Sequence, residues 1–316
     1  MPPAETVCVL AATPLLTISA ESVSGSDDPQ VHIHTGGQGL WVARMARSLG
    51  AKVTVCGPFG GEAGTVAALL AEREGLTVRS AAYGAGNGAS ILDHRGDEEV
   101  ELAIQPSGRL DRHELDDLYG SVLVEALGAN ACILTGSDPP ELLPADFLGR
   151  LATDLLEAPT HVVADVSGDS ALAVAEAGVD VIKMSHEELI EAEIASSERP
   201  RALVTAARKL LRMGPEEGAV ARAVLVSRAG DPSLLVTLEE VHEVHTPPVT
   251  ALNHRGAGDS MTAGVAVGLA RGMDLLDAVR LGSAAGALNV TRRGLGSGRR
   301  DQIERFAPHV TTSKLD

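Results

Sequence analysis

The stretch "NHRGAGDSMTAGVAVGLARG" occupies residues 253–272. A basic pair, His254 and Arg255, leads into Gly256, Ala257 and Gly258, and then into a single carboxylate, Asp259. The rest is small and apolar, the pattern of a helix that is buried on most sides. The first amides of a helix lack intrahelical partners and carry partial positive charge. Residues with little or no side chain leave those amides open to a phosphate. A carboxylate in the first turn can accept the proton of a hydroxyl that attacks phosphorus. The stretch therefore reads as an anion hole beside a general base. Taken alone, it also reads as a glycine-rich turn whose Asp favours the helix dipole.

Working outward, short β-branched runs alternate with helical patterns. Strands are expected at 6–12, 52–57, 131–136, 161–166, 180–184, 222–227 and 233–238. Helices are expected at 39–50, 62–75, 144–156, 169–177, 186–195, 201–213, 257–271 and 275–290, with loops at 195–200 and 294–298. Apolar strands alternating with helices imply a doubly wound α/β fold, a mostly parallel sheet with helices on both faces. Two segments break the rhythm. "QVHIHT" within 13–35 alternates with period two, and "ASILDHRGDEEVELAI" within 84–104 reads as two strands around an acidic turn. These segments, 13–35 and 84–104, are expected to form a small β-sheet lid. Residues 1–12, 36–83 and 105–316 then form the large domain.

The chain of 316 residues has a net charge of −17, which argues against nucleic acid or an anionic membrane surface as a partner. With only 2% aromatic residues, its core must be built from Ala, Val, Leu and Ile. Cys8, Cys56 and Cys132 match no metal-ligand spacing and suggest buried thiols in a reducing, cytoplasmic setting. No apolar run approaches the roughly 18 residues of a membrane span, and the N-terminus reads as a first strand with no basic region ahead of it.

The 253–272 stretch resembles the C-terminal signature of the PfkB (ribokinase-like) carbohydrate kinases. "TGGQGLWVARMARSLGAKVTVCGPFGGEAG" (35–64) resembles the N-terminal signature of that family. "ILTGSDPPELL" (133–143), "ADVSG" (164–168), "VIKMSHEEL" (181–189) and "LGSAAGALNV" (281–290) follow in family order. The nearest branch is that of the 1-phosphofructokinases and tagatose-6-phosphate kinases. The resemblance implies a ribokinase-like fold, ATP as donor, Mg²⁺ as charge neutraliser, a sugar-like acceptor and a homodimer formed through the lid. No Walker A pattern occurs, so the helix start at Gly256 would hold the phosphates.

Roles follow position by position from the resemblance. Asp259 would be the base, and Gly256, Ala257 and Gly258 the anion hole. Glu188 would organise Mg²⁺, although Ser185-x-x-Glu188 is also an ordinary capping box and Ser185 replaces the family's Asn. Lys183, beside it, would serve the nucleotide or be a solvated strand end. Ser227, Ala229 and Gly230 lie in the nucleotide turn, where both family glycines are replaced. Gly36, Gly37, Gln38, Trp41, Thr17 and Ser137 fall on the acceptor side. Thr135 and Ser137 would touch substrate or shape a turn, and Asp165 reads more as a turn residue than as a ligand. Gly57, Gly60 and Gly64 read as structural. His32 and His34 share one strand face but lack a third metal ligand.

The departures are concentrated on the acceptor side. Thr17 replaces the family's sugar-binding Asp, Gln38 its Lys and Trp41 its Asn, while Ala89 falls where an Arg is expected. The expectation is therefore a kinase whose acceptor differs from the usual ketohexose phosphate, with Trp41 stacking on a ring. A nucleoside kinase, and a non-catalytic or regulatory binder on a kinase fold, are the alternatives.

Overall fold

The structure is a computed structural model, and it describes residues 5–22, 28–96, 100–214, 222–252, 254–292, 294 and 296–315. The chain opens with β1 (Thr6–Leu10), whose side chains alternate between two apolar layers: Val7 and Val9 on one side, Cys8 and Leu10 on the other. It then leaves the main sheet for β2 (Leu15–Glu21) and β3 (Gln30–Gly36) and returns through α1 (Gln38–Ser48) and β4 (Lys52–Pro58). Next come α2 (Gly61–Arg73) and β5 (Thr77–Ala81). A second excursion supplies β6 (Gly88–His94) and β7 (Val100–Gln105), and their acidic connection at 97–99 lies outside the described residues.

From there the alternation is regular: α3 (Arg112–Leu127), β8 (Ala131–Thr135), α4 (Ala145–Leu155), β9 (His161–Asp165), α5 (Gly168–Ala177), β10 (Val181–Ser185), α6 (His186–Glu191), α7 (Pro200–Leu211) and β11 (Ala223–Arg228). Two antiparallel strands follow, β12 (Asp231–Val236) and β13 (Val241–His245). The chain closes with α8 (Ala257–Ala270), α9 (Leu275–Asn289), α10 (Arg300–Phe306) and β14 (Thr311–Leu315).

The large sheet runs β14-β13-β12-β11-β10-β9-β8-β1-β4-β5, parallel from β11 to β5 and antiparallel across β12, β13 and β14. One apolar layer lies between this sheet and α3, α4, α5 and α7. The other lies under α1, α2, α8, α9 and α10. Both consist mostly of Ala, Val, Leu and Ile, as the scarcity of aromatics requires. The three cysteines are free and buried, with Cys8 Sγ 3.9 Å from Cys56 Sγ across neighbouring strands. Among the described residues no helix is long and apolar enough to cross a membrane.

The small sheet is ordered β3-β2-β6-β7 and is built from the two excursions. Its register puts Ile33, Ile18 and Ile91 side by side and Val31, Ala20, Asp93 and Val100 beside one another on the same face. Thr17, His34 and Ser90 share the opposite face, where the Ser90 hydroxyl lies 3.4 Å from that of Thr17.

Several elements escaped the sequence reading. Helix α3 is set by a capping box in which Asp111 caps the Glu114 amide and Glu114 reaches back to the Asp111 amide. Its apolar stripe is thin, with only Leu118, Val122 and Ala126 fully buried, so its periodicity is faint. Strands β5, β13 and β14 are short and polar because each lies at or beside a sheet edge, and helix α10 is short, with only Ile303 buried.

Candidate active site

The parallel strands end on one side of the sheet, where ligands of open α/β folds bind, and α8 starts on that side. Gly256, its N-cap, has left-handed backbone (φ 73°, ψ 8°). A Cβ at Gly258 would lie 2.5 Å from Lys183 Nζ, so only glycine lets the ammonium rest against the helix start. The amides of the first turn and this cation therefore converge on one place, a strong site for negative charge.

Lys183 is not a solvated strand end. Its side chain is 7% exposed and its Nζ lies 3.1 Å from Asp165 Oδ1 on the neighbouring strand. Burial works against the charge, but the carboxylates of Asp165, Glu188 and Asp259 outweigh it and raise its pKa further. Asp165 is likewise more than a turn residue. It is buried at the end of β9, and its Oδ2 accepts a 2.6 Å hydrogen bond from Thr262 of α8. The pair thus ties β9, β10 and α8 together. Sheet register, which sets Asp165 beside Lys183, is what reveals the pair; in the sequence the one hint was an Asp closing the apolar run 162–165 and a Lys inside the apolar run 181–184.

Asp259 sits in the first turn of α8, half-buried. Burial, with the nearby Asp165 carboxylate, pushes its pKa up to about 7, against the opposing pull of Lys183. A carboxylate with a pKa near neutrality can take up or release a proton at the working pH.

Glu188 forms the capping box: its Oε2 accepts the Ser185 amide at 2.6 Å, and its own amide donates to Ser185 Oγ at 3.1 Å. That leaves the second carboxylate oxygen for a cation. Mg²⁺ commonly binds through one or two carboxylates, water and substrate phosphates, without a full protein cage. Among the described residues no cluster of three or more His, Cys, Asp or Glu could hold a metal unaided. One spare carboxylate oxygen fits Mg²⁺ when the ion brings water and phosphate ligands of its own.

On the acceptor side, Gly37 (φ 95°) abuts the Thr13 carbonyl and opens α1, whose first residue is Gln38. Gln38 Nε2 lies 3.4 Å from the Asp165 backbone oxygen. Gly36 lies against Thr17, whose Oγ1 would be 2.9 Å from a Cβ there. Trp41 is half-buried, on the face of α1 that the core leaves free, with its backbone against Gly296. Ser137 is taken up by its turn, donating to the Pro140 carbonyl and accepting from the Leu143 amide, and Thr135 donates to the Leu10 carbonyl. Gly57, Gly60 and Gly64 all meet neighbouring backbone closely, the structural role read from the sequence. His34 lies in the field of Arg44 and Glu74; burial, followed by the Arg44 charge, lowers its pKa. In the turn from β11 to β12, Ser227 pairs with Ser185 across β11 and β10, Ala229 takes a left-handed φ of 49°, and Gly230 is open to solvent.

The family profile described as "pfkB family carbohydrate kinase" matches residues 6–302. Over 276 residues the chain is 32% identical to an ATP-dependent 6-phosphofructokinase isozyme 2 of Mycobacterium tuberculosis, covering 86% of this chain and 78% of that protein. It is 26% identical to the 1-phosphofructokinase of Bacillus subtilis, covering 89% of each. The crystal structure of the phosphofructokinase-2 from Escherichia coli in complex with potassium superposes with a TM-score of 0.81 at 23% identity, covering 97% of this chain and 98% of that one.

Proposed function

This chain belongs to the pfkB family of carbohydrate kinases, and we propose that its acceptor is a sugar or sugar-like polyol bound without a strong phosphate clamp. ATP-dependent phosphoryl transfer to a sugar hydroxyl is the chemistry of the family. The observation that carries the reading is the buried constellation at the start of α8, where an anion-seeking helix end and Lys183 meet a carboxylate poised near neutrality.

In this reading the first-turn amides behind Gly256, with Ala257 and Gly258, hold the transferring phosphoryl group. Lys183 adds its charge at the same place. Asp259 takes the proton of the acceptor hydroxyl as oxygen attacks phosphorus. Glu188 would hold Mg²⁺, which when bound neutralises phosphate charge. Ser227, Ala229 and Gly230 flank the nucleotide, and Gly36, Gly37, Gln38, Thr17, Trp41 and Ser137 border the acceptor, beneath the small sheet as a lid. Neutral side chains at Gln38 and Ala89 support an acceptor without a phosphate, because cations are the usual grip on one. The lid's exposed Val31, Ile33, Ile91 and Val100 support pairing with the lid of a second copy.

The test is ADP release with Mg-ATP across neutral sugars, polyols, nucleosides and ketohexose phosphates. A neutral sugar or polyol is expected to give the highest kcat/KM. Turnover of fructose 6-phosphate, fructose 1-phosphate or tagatose 6-phosphate with a micromolar KM would overturn the acceptor assignment and leave the kinase chemistry intact.

A further inference from the structure

The two excursions that build the small sheet leave the large domain at different points of the chain, and one side chain holds both roots. Asn87, the residue before β6, is only 2% exposed. Its Nδ2 donates to the Pro14 carbonyl at 3.0 Å and to the Pro58 carbonyl at 2.9 Å, and its Oδ1 accepts the Gly60 amide at 2.7 Å. Pro14 is the residue before β2, Pro58 ends β4 in the large sheet, and Gly60 is the N-cap of α2. Both side-chain N–H donors and the carbonyl oxygen are thus engaged with three separate segments. A Cβ at Gly64 would lie 2.1 Å from Asn87 Oδ1, so the first turn of α2 carries glycine where it receives this side chain.

We propose that Asn87 is a positioning residue that pins the small sheet to the large domain and so sets where Thr17 and Ser90 stand over the acceptor. The acceptor part rests on the kinase reading, in which this sheet is the lid of the acceptor site.

Strands β2 and β6 are the central pair of the small sheet, and their parallel register begins at Leu15 and Gly88. One step earlier, the backbone amide of Asn87 turns to the large domain and donates to the Gly60 carbonyl at 3.1 Å. The Asn87 side chain then takes the Pro14 carbonyl, where a ladder would have used backbone. The return of the second excursion closes on the same place: the Gly108 amide donates to the Gly86 carbonyl, and the Gly88 amide to Ser107 Oγ. Helix α2, which packs against β2 and β3, starts at the Gly60 that Asn87 holds. Pro14 and Pro58 are buried, so turning the small sheet about this point would strand their carbonyls away from water, which fixes its angle. Thr17 and Ser90 are register neighbours on the strands that leave these two roots, so the pin places them as a pair.

The test is amide hydrogen–deuterium exchange resolved by peptide, which needs no acceptor. Asn87→Leu keeps the size of the side chain and removes its three hydrogen bonds. Exchange in peptides covering β2, β3 and β6 is expected to quicken roughly tenfold, with β8, β9 and β10 of the large sheet unchanged. Strand β3 is the informative one, because Asn87 does not bond to it and it quickens only if the small sheet loosens as a unit. Should that variant fail to fold, Asn87→Asp keeps the acceptor for the Gly60 amide, loses the donations to Pro14 and Pro58, and is expected to quicken the same peptides. Equal quickening along the whole chain would make Asn87 an ordinary contributor to global stability and overturn the proposal, as would unchanged exchange. With the acceptor that the sugar screen returns, KM for the acceptor should rise severalfold in the same variant while KM for ATP holds; equal rises in both would overturn the positioning role. If the wild type transfers phosphate to none of the compounds screened, the kinase reading falls, and the exchange experiment still decides whether Asn87 is the pin.

Discussion

The start of α8 and the small sheet handle exposure in opposite ways. At the helix start, charge is driven inward: Asp165 and Lys183 are almost fully buried and compensate each other, with Thr262 satisfying the remaining carboxylate oxygen. On the small sheet, apolar surface is driven outward: Val31 is 61% exposed and Ile33 53%, on a face with no covering element among the described residues. A buried ion pair is retained for what it positions, since its desolvation offsets most of its attraction. An exposed apolar face is retained for what covers it. In the proposed reading the first region serves chemistry and the second assembly, and substitutions should separate the two.

The largest effect is expected at Asp259. Asp259→Asn preserves shape and the backbone amides, so fold and ATP binding should persist. Turnover should fall roughly 10²–10⁴-fold, about 3–5 kcal/mol of barrier. The pH dependence has a definite sign. Burial raises the folded-state pKa of Asp259 to about 7, so wild-type kcat/KM should climb as pH rises toward that value and then level off. The same shift means that the native state favours the protonated carboxyl. Stability from this group is present at acid pH and is lost as pH rises through about 7. Asp259→Asn should therefore raise the melting temperature more at pH 8 than at pH 5. Turnover near wild type would reduce Asp259 to a dipole-compensating residue and leave the helix start without its chemistry.

The assembly side can be broken independently. Ile33→Lys places a charge in the middle of the apolar face, beside Ile18 across the β2–β3 ladder. Sedimentation should show the wild type as a dimer and the variant shifted to monomer, with the pKa of Asp259 unmoved. A wild-type monomer would mean that something other than a second copy covers this face. Loss of both assembly and the Asp259 titration would show that the two regions are not separate.

Much of this contrast was legible in the sequence, for a physical reason. The helix start at 256–259 is a local motif: bare backbone, one carboxylate and a helix pattern are enough to give its geometry. The alternating strands of the small sheet were visible for the same reason, since period two is a short-range signal. What the sequence hid were pairings between distant strands. Asp165 looked like a turn residue because its partners, Lys183 and Thr262, lie 18 and 97 residues away and meet it only through sheet register and helix packing. Gln38 looked like a lost cation, yet its Nε2 lies 3.4 Å from the backbone oxygen of Asp165, 127 residues away. Glu188 satisfied two readings at once, and the capping box is present in the structure with one carboxylate oxygen to spare.

The smallest expected effect lies in the nucleotide turn, and it tests whether that turn belongs with the chemistry or merely with the backbone. Ala229 adopts a φ of 49° between β11 and β12, a left-handed conformation that an L side chain adopts at a cost of roughly 1–2 kcal/mol. Glycine would relieve that strain but would add about 0.5–1 kcal/mol of freedom to the unfolded chain. Ala229→Gly should therefore gain about 0.5–1 kcal/mol of stability, read as a small rise in denaturant midpoint with unchanged slope. If the methyl group only burdens the backbone, ATP affinity stays where it was. If the strained turn shapes the nucleotide pocket, the same variant changes KM for ATP while leaving the Asp259 titration unmoved. A loss of stability on removing the methyl would mean that its contacts outweigh the backbone strain, and the turn would then be a packing feature with its own reason for excluding glycine.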